Sequence, residues 1–421
     1  MTPHAPVAYL GAESPSIAAA SLNRVLDCFL RAAGDPLGEL EALRSQYPHL
    51  VMGHLLRAAI GIAAKDSKDF PQIRGALSAA EQAAAQWTDQ ERDHLAAAEA
   101  WLRGEPLVAA ERYAAILREW PQDLLALRLA QSCYFFLGRR AALRDVVDLV
   151  WPAWTRHMPG YEYVLAMAAF AQAENGDPVR AEALAREALQ LRPAFPFAIH
   201  AMAHALFERR DHARGASWMR QHQTQWLTKG RMISHNAFHT AMFDLESGDA
   251  PRALAMLDRW IMPRAIASAS EAADATALLR CLELDGLDPG PRWSILSDSW
   301  ATHDSFGFWP LLDLHAAIAF NAAADGNRLQ SLLDAIVARA SVATDAGRMA
   351  RTVTLPVLSA IQAGALDDFE TANARLGALR PALTLVGSHA QTEQLERMLF
   401  GIGCRHRRAR PRERLGLASA A

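Results

Sequence analysis

The sequence lacks the features of disulfide-bonded and membrane-spanning proteins. Its four cysteines (Cys28, Cys133, Cys281 and Cys404) are widely separated and form no CxxC pair, so we expect reduced thiols. No apolar run reaches the roughly 18–20 residues that a spanning helix needs. The first residues contain no basic segment followed by an apolar one, the pattern of a secretory signal. These absences predict a cytoplasmic protein with no membrane partner.

Charge and periodicity argue against two further classes of protein. Lys and Arg number 43 against 46 Asp and Glu, and the formal net charge of −3 gives no general attraction to nucleic acid. No segment shows the sustained two-residue alternation of a half-buried strand, and no glycine-rich phosphate loop follows a strand. We therefore predict neither a nucleic-acid partner nor a nucleotide site of that kind.

The sequence consists mainly of amphipathic helical patterns. Ala, Leu, Arg, Glu and Gln dominate, and from about residue 17 to residue 400 one helical pattern follows another with short breaks. Hydrophobic residues make up 51 % of the chain, which is enough for a large core or for a long solenoid.

The breaks between helices recur at a regular interval. The glycines predicted to end helices are Gly104, Gly138, Gly176, Gly248, Gly326 and Gly364, and Asp211 is predicted to replace a glycine between Gly176 and Gly248. From Gly104 to Gly138 is 34 residues, and from Gly138 to Gly176 is 38. Such a period is typical of tetratricopeptide helix pairs, and helical stacking without an exact repeat is the alternative.

We therefore predict an all-α fold, a right-handed superhelix of tetratricopeptide-like helix pairs. The solenoid is predicted to span residues 17–403 as a single domain. Residues 1–16 are predicted to form an N-terminal extension, and residues 404–421, which are rich in arginine, a basic disordered tail.

Two histidine pairs mark the middle of the chain. His200 with His204, and His235 with His239, each have the i, i+4 spacing that puts both imidazoles on one face of a helix. Each helix pair of such a solenoid has a first and a second helix, joined by a turn. Counted back from that turn, position 200 lies level with position 237 on the first helix of the next pair, so the two histidine pairs should meet. His315 has the matching register on a further first helix.

Four imidazoles on neighbouring helices support three interpretations. They could hold a divalent transition metal, iron or zinc, with Asp313 as the carboxylate that orients them. They could also act as general acids or bases, or be packed structural residues. Ala201 follows His200, so the HExxH motif of zinc hydrolases is absent, and an oxidoreductase or hydroxylase is favoured over a hydrolase.

Several stretches together resemble one known family, the tetratricopeptide-repeat protein 38 family, also described as StaR-like. The resemblance covers about residues 27–400. It is carried by Trp120–Gly138, Ile199–Glu208, Ser234–Asp249, Gly290–Trp293, Leu311–Phe320, Ala350–Pro356 and Gly387–Gln391, in this order.

The resemblance implies an all-helical cytosolic protein, and some bacterial members are associated with specialised-metabolite gene clusters, where an oxidative role has been suggested. It brings forward His200, His204, His235, Asn236, His239, Asp313, His315, Arg351 and Gln391, with Asp274 as a weaker match. The chain departs from the family pattern at Ser132, Phe207, Ala237 and Cys281, where an acidic residue, a glutamate, an aromatic and an arginine are expected.

These residues predict a small-molecule site in the concave groove of the solenoid. The six catalytic candidates are His200, His204, His235, His239, Asp313 and His315, and the four paired histidines are also the candidate metal ligands. Asn236, Phe238, Trp309, Arg351 and Gln391 are predicted to bind the substrate, Arg351 by clamping an anion. The alternative is a scaffold that binds a protein partner without catalysis.

Overall fold

The structure is a computed structural model that describes residues 17–409, apart from positions 65, 84–86, 228–229, 231, 304–305 and 367 and the side chains of 67 and 402–409. Within these residues the regular structure is helical and no strand occurs. The predicted extension over 1–16 and the tail residues 410–421 lie outside the described residues. The last helix continues to Ala409, six residues beyond the predicted boundary at 403.

The first eleven helices carry the chain to the first histidine pair. They are α1 (Ile17–Arg31), α2 (Pro36–Gln46), α3 (Val51–Ala64), α4 (Phe70–Ala83), α5 (Asp89–Leu102), α6 (Pro106–Glu119), α7 (Leu124–Phe136), α8 (Arg140–Val150), α9 (Tyr161–Glu174), α10 (Pro178–Leu191) and α11 (Pro196–Glu208).

The remaining helices carry the second histidine pair and return to the N-terminal half. They are α12 (His212–Gln221), α13 (Gln223–Trp226), α14 (Met232–Glu246), α15 (Ala250–Met256), α16 (Ala269–Leu284), α17 (Arg292–Ala301), α18 (Pro310–Ala322), α19 (Gly326–Ala340), α20 (Asp345–Met349), α21 (Leu355–Ala365), α22 (Phe369–Leu383) and α23 (His389–Ala409). π-helical turns at Leu257–Ile261 and Ala350–Thr354 precede Pro263 and Pro356, which cannot donate a backbone hydrogen bond.

Consecutive helices pack as antiparallel pairs with a constant repeat. The first helices of six pairs begin at residues 89, 124, 161, 196, 232 and 269, which are 35 to 37 residues apart. First helices also pack on one another, α9 on α11, α11 on α14, α14 on α16 and α16 on α18. The predicted all-α solenoid of tetratricopeptide-like pairs is confirmed.

The turn inside each pair is set by local chemistry. At the end of α9, Gly176 adopts φ +79°, Asp177 accepts a hydrogen bond from the N–H of Arg180, and Pro178 occupies the first turn of α10. Glycine takes the left-handed conformation without a Cβ clash, and the aspartate satisfies a free N–H at the next helix start. Gly104, Gly138 and Gly248 also have positive φ and lie in turns at helix ends, where the repeat predicted them.

Two of the predicted glycine turns are wrong. Gly326 is the first residue of α19, and the left-handed position before it belongs to Ala324. Gly364 lies inside α21, which continues to Ala365. The segment between Pro263 and Pro310 holds two helices, α16 and α17, joined by a loop over 285–291.

The C-terminal helices fold back onto the N-terminal half. The N–H of Ala346 donates to the carbonyl of Gly104 at 3.1 Å, and the N–H of Leu107 donates to Asp345 Oδ2 at 3.1 Å. Helix α23 packs against α11 and α16, two helices that carry candidate site residues. Among the helices searched within the described residues, none is long and apolar enough to cross a membrane.

Candidate metal centre

The two histidine pairs converge on one point between α11 and α14. Nε2 of His200 lies 3.0 Å from Nε2 of His204 and 3.0 Å from Nε2 of His235. One nitrogen from each of His200, His204, His235 and His239 lies within 4.8 Å of the others. We refer to these four residues as the four-histidine cluster.

The register of the repeat brings the pairs together, as the sequence predicted. The ring centroid of His200 lies 4.8 Å from that of His235 and 5.0 Å from that of His239. The i, i+4 spacing stacks the two rings of each helix, and neighbouring first helices place both pairs at the same height.

Two carboxylates hold the outer nitrogens of the cluster. Glu174 Oε1 lies 3.0 Å from Nδ1 of His204, and Asp274 Oδ2 lies 3.0 Å from Nδ1 of His235. A histidine whose Nδ1–H donates to a carboxylate keeps its Nε2 lone pair free for a metal ion, and this pairing is the usual surrounding of a metal-binding histidine. Both rings thus direct Nε2 into the cluster.

Sequence reasoning missed Glu174 and ranked Asp274 low. Glu174 is the last residue of α9, in the helix pair before the first histidine pair, and Asp274 lies on α16, in the pair after the second. Spacing alone does not point to them, because Glu174 lies 30 residues before His204 and Asp274 lies 39 residues after His235, whereas the first helices are 35 to 37 residues apart.

The protons of the neutral cluster do not satisfy all of its nitrogens. If His204 and His235 carry their protons on Nδ1, His200 can donate from Nε2 to only one of them, and at the other 3.0 Å contact the Nε2 lone pair receives no proton. Nδ1 of His200 and Nε2 of His239 are buried and have no hydrogen-bond partner within the described part of the chain. Of these two nitrogens, Nε2 of His239 is free to bind a further group, and a buried nitrogen without a partner is costly.

A divalent metal ion fits this arrangement. A tetrahedral ion with bonds of roughly 2.0–2.1 Å needs nitrogens about 3.3 Å apart, which lies within the range spanned by the cluster. The four imidazoles are neutral ligands, and Glu174, which also pairs with Arg140, and Asp274 would place negative charge beside the ion. That negative charge matters because the site is buried.

Burial also affects the protonation of His200, His239 and Glu174. Desolvation, together with the neighbouring histidines, holds the pKa values of His200 and His239 well below the usual range. Burial alone raises the pKa of Glu174, but hydrogen bonds from His204 and from the His389 backbone bring it below its usual range. The neutral histidines and the ionised glutamate are the forms that metal binding requires.

Aromatic rings shield one side of the cluster. Phe170 and Phe197 each stack on His200 with ring centroids 5.7 Å away, and Phe238 lies parallel to His235 at 6.0 Å. The side chain of His235 is 23 % exposed, whereas that of His204 is 3 % exposed. The cluster is therefore most accessible at His235.

Asp313 and His315 lie on α18, which packs against α16. Nδ1 of buried His315 donates to the carbonyl of Leu311 at 2.6 Å, and the charge of Asp274 acts on its ring. Asp313 accepts a hydrogen bond from the N–H of Gly307 at 2.9 Å. The carboxylates that hold the cluster are Glu174 and Asp274, which corrects the expectation that Asp313 orients the histidines.

The predicted substrate-binding residues lie in different parts of the structure. Phe238 lies against His235, whereas Asn236 is buried and its Nδ2 donates to the carbonyl of Pro196 at the start of α11 at 3.4 Å. Trp309 stacks on Phe136 with centroids 4.9 Å apart and is part of the core.

Arg351 and Gln391 form hydrogen bonds with nearby backbone groups. Arg351 is exposed and donates to the carbonyls of Ala340 and Val342 at the end of α19, which corrects its expected place in the groove. Oε1 of Gln391 accepts from the N–H of Ser388 at 3.0 Å, while Ser388 Oγ accepts from the N–H of Gln391. This reciprocal pair is a capping box at the start of α23.

The residues that depart from the family pattern lie mainly in the core. Phe207 packs against Phe243, and Glu208, one position later, lies 3.4 Å from Nδ1 of His389. Ser132 and Ala237 are buried in the core. Burial raises the pKa of the Cys281 thiol to about 12, so this cysteine is an inert core residue.

No family model matches this chain. Among solved structures, the crystal structure of the APC/C hetero-tetramer Cut9-Hcn1 is similar over 93 % of this chain and 78 % of that chain, with 11 % identity and a TM-score of 0.41. That likeness carries no argument about function. The helix pairs themselves define a tetratricopeptide-like helical-repeat protein.

Proposed function

We propose that this helical-repeat protein is metal-dependent and that the four-histidine cluster holds one divalent transition-metal ion. A single observation carries the proposal. Glu174 and Asp274 bind the Nδ1 atoms of His204 and His235, so that their Nε2 atoms face those of the other histidines. A purely structural set of buried histidines has no need for four ring nitrogens that converge on one point.

The ligand set favours iron or zinc. Imidazole is a good ligand for iron, zinc, copper and nickel, whereas magnesium and calcium prefer oxygen. We favour a small-molecule oxidoreductase or hydroxylase over a hydrolase, because the HExxH motif is absent. Iron, when bound, would supply one-electron chemistry, and the chain would orient the ligands, exclude water with Phe170 and Phe197, and admit a small molecule beside His235.

The finer assignments belong to the same proposal. We propose membership of the tetratricopeptide-repeat protein 38 family, a cytoplasmic location and a role in specialised metabolism. These rest on the resemblance of the histidine-bearing stretches, of which Ile199–Glu208 and Ser234–Asp249 form the candidate centre. The alternative function is a protein-interaction scaffold, which the helical-repeat fold favours.

Elemental analysis tests the metal proposal. The untagged protein is purified without chelator, and iron, zinc, copper, nickel and manganese are measured by plasma mass spectrometry. The variants are His204→Gln, His239→Gln and their combination, and circular dichroism verifies that each is folded. His157→Gln, at an exposed position, is the matched control.

We expect near-stoichiometric iron or zinc in the wild type and in the control, and much less in the double variant. Reconstitution of metal-free protein with Co²⁺ gives a second readout, because ligand-field bands report nitrogen coordination. Absence of metal binding in the wild type under both conditions would end the metal proposal and leave acid–base chemistry or the scaffold function.

A further inference from the structure

Helix α7, which lies two pairs before α11, brings a charged side chain near the four-histidine cluster. The guanidinium of Arg128 lies over the ring of Phe197, with Cζ 5.1 Å from the ring centroid. Phe197 is near the start of α11 and stacks on His200 with centroids 5.7 Å apart. The first helix α9 lies between α7 and α11 and packs on both, so Arg128 reaches Phe197 across the surface that the first helices share.

The positive charge of Arg128 acts on the cluster. The distances of 5.1 and 5.7 Å together place its Cζ no more than about 11 Å from the ring centroid of His200. Desolvation is the main cause that lowers the pKa of His200, and the Arg128 charge adds to it. Arg128 is half-buried, and His235 is the most accessible histidine of the cluster. A ligand that enters beside His235 would therefore meet this positive charge as well as the cluster.

The same face of α7 also carries an aromatic side chain. Phe135 follows Arg128 by seven residues, which is about two helical turns, and it is half-buried as well. Its ring centroid lies 5.8 Å from that of Phe170, which stacks on His200 at 5.7 Å. Arg128 and Phe135 thus each pack on one of the two rings that stack on His200. One guanidinium and several apolar rings border this side of the cluster.

We propose that Arg128 binds the carboxylate of the substrate, and that the substrate is a small monocarboxylic acid with an apolar body. This role rests on the proposed metal function, because the reacting end of the acid would lie at the four-histidine cluster. Arg128 is then a residue that determines specificity, and it takes the anion-binding role that the sequence analysis expected of Arg351.

The chemistry of this face of α7 selects that class of substrate. A planar guanidinium offers paired N–H donors that match the two oxygens of a carboxylate. One guanidinium suits a single negative charge better than the double charge of a phosphate ester. The half-buried ring of Phe135 suits an apolar body better than a sugar, whose hydroxyl groups would lose their bonds to water there.

Fluorine NMR on the full chain tests the proposal with 3-(4-fluorophenyl)propanoate as the probe. Three molecules compete with it: 3-phenylpropan-1-ol lacks the charge, acetate lacks the apolar body, and phenyl phosphate carries a phosphate instead of the carboxylate. Arg128→Gln removes the guanidinium, and Arg128→Lys keeps the charge without the paired donors. Arg112→Gln removes an equal charge from the exposed surface of α6 and is the matched control. Circular dichroism verifies that each variant is folded.

We expect the probe to bind, and Arg128→Gln to weaken its binding by about tenfold, as loss of a charge-assisted hydrogen bond does. Arg128→Lys should retain part of the affinity, and Arg112→Gln should change it by less than about twofold, because solvent and salt screen a distant exposed charge. The alcohol and acetate should compete weakly. In Co²⁺-loaded protein the fluorine of the bound probe should relax faster than in Zn²⁺-loaded protein, because the unpaired electrons of Co²⁺ lie near it.

Three results would overturn the proposal. One is no detectable binding of the probe, and another is equal affinity of the wild type and Arg128→Gln, which would make Arg128 a packing residue only. The third is tighter binding of the alcohol or of phenyl phosphate than of the probe, which would assign the site to another class of ligand.

Failure of the metal proposal gives a different result. Binding of the probe would still depend on Arg128, but Co²⁺ would cause no faster relaxation of the fluorine. That result would support the carboxylate site beside the cluster and overturn only the metal ion.

Discussion

Glu174 contacts His204 through Oε1, at 3.0 Å from Nδ1, and uses its other oxygen for a different helix. Oε2 accepts a hydrogen bond from the backbone N–H of His389 at 2.9 Å, in the first turn of α23. A carboxylate at a helix N-terminus is favoured by the free N–H groups and the helix dipole. One side chain therefore links the candidate metal ligands to the docking of the last described helix.

The first prediction concerns this carboxylate. Glu174→Gln removes the negative charge and weakens the preference for the Nδ1–H tautomer of His204. Loss of such an outer partner lowers metal affinity by roughly 10–100-fold. Competition with a chromophoric chelator measures the affinity. Glu393→Gln, at an exposed carboxylate on α23 that pairs with Arg210, is the control. Equal affinities in the two variants would contradict a role for Glu174 in the centre.

The second prediction concerns Asp313. Burial raises the pKa of this carboxyl to about 7, against the effect of the hydrogen bond from Gly307. The ordinary pKa of an aspartate is 3.8. At pH values between 3.8 and about 7, the folded chain therefore binds one proton more than the unfolded chain. The free energy of unfolding contributed by this group therefore falls as pH rises through that window, by a few kcal/mol in order of magnitude.

Asp313→Asn removes this titration and keeps an acceptor for Gly307. Urea unfolding at pH 5 and pH 8 should show the variant gaining stability relative to the wild type at the higher pH. Metal affinity should stay at the wild-type level, because Glu174 and Asp274 hold the cluster. A loss of metal similar to that of Glu174→Gln would restore Asp313 as the orienting residue.

The third prediction concerns the pH stability of the metal-free protein. Burial and neighbouring histidines hold the pKa values of His200 and His239 well below 6.5. Below pH 6.5 the unfolded chain binds these protons and the folded chain does not. Stability therefore falls with decreasing pH, by about 1.4 kcal/mol per pH unit for each neutral histidine.

Guanidinium unfolding of metal-free protein between pH 7.5 and pH 5.5 measures this slope. His239→Gln removes one titrating group from the folded site, so its slope should be smaller. An unchanged slope in the variant would mean that His239 is protonated in the fold.

The fourth prediction concerns the closure of the solenoid. Gly138 has φ +63°, and a Cβ there would lie 2.6 Å from Cα of Leu385. Gly176 has φ +79° in the equivalent turn of the next pair, and a Cβ there would meet nothing within 4 Å. Gly176→Ala should cost about 1–2 kcal/mol for the left-handed conformation, and Gly138→Ala should cost roughly 1–3 kcal/mol more.

Chemical denaturation of both variants checks this difference, since the pair separates backbone strain from the contact with the C-terminal half. Equal losses of stability in the two variants would show that the backbone at Leu385 moves away from the new Cβ at no cost in free energy. The contact between the turn at Gly138 and the C-terminal half would then not be tightly packed.

The sequence by itself determined the helix pairs and the pairing of the histidines. Apolar spacing, Gly-Asp-Pro turns and i, i+4 histidines act within about ten residues, so local chemistry specifies them. The constant repeat then placed His200 near His235 and His239, because neighbouring first helices share one register.

Only the tertiary structure decided which side chains surround the cluster. Glu174 and Asp274 reach the histidines from the adjacent pairs, while Arg351 and Gln391 bond nearby backbone. Whether a polar side chain reaches a site or caps a helix depends on its rotation about the helix axis and on long-range closure. Neither is encoded in spacing along the chain, because contacts such as Ala346 with Gly104 join segments far apart in sequence.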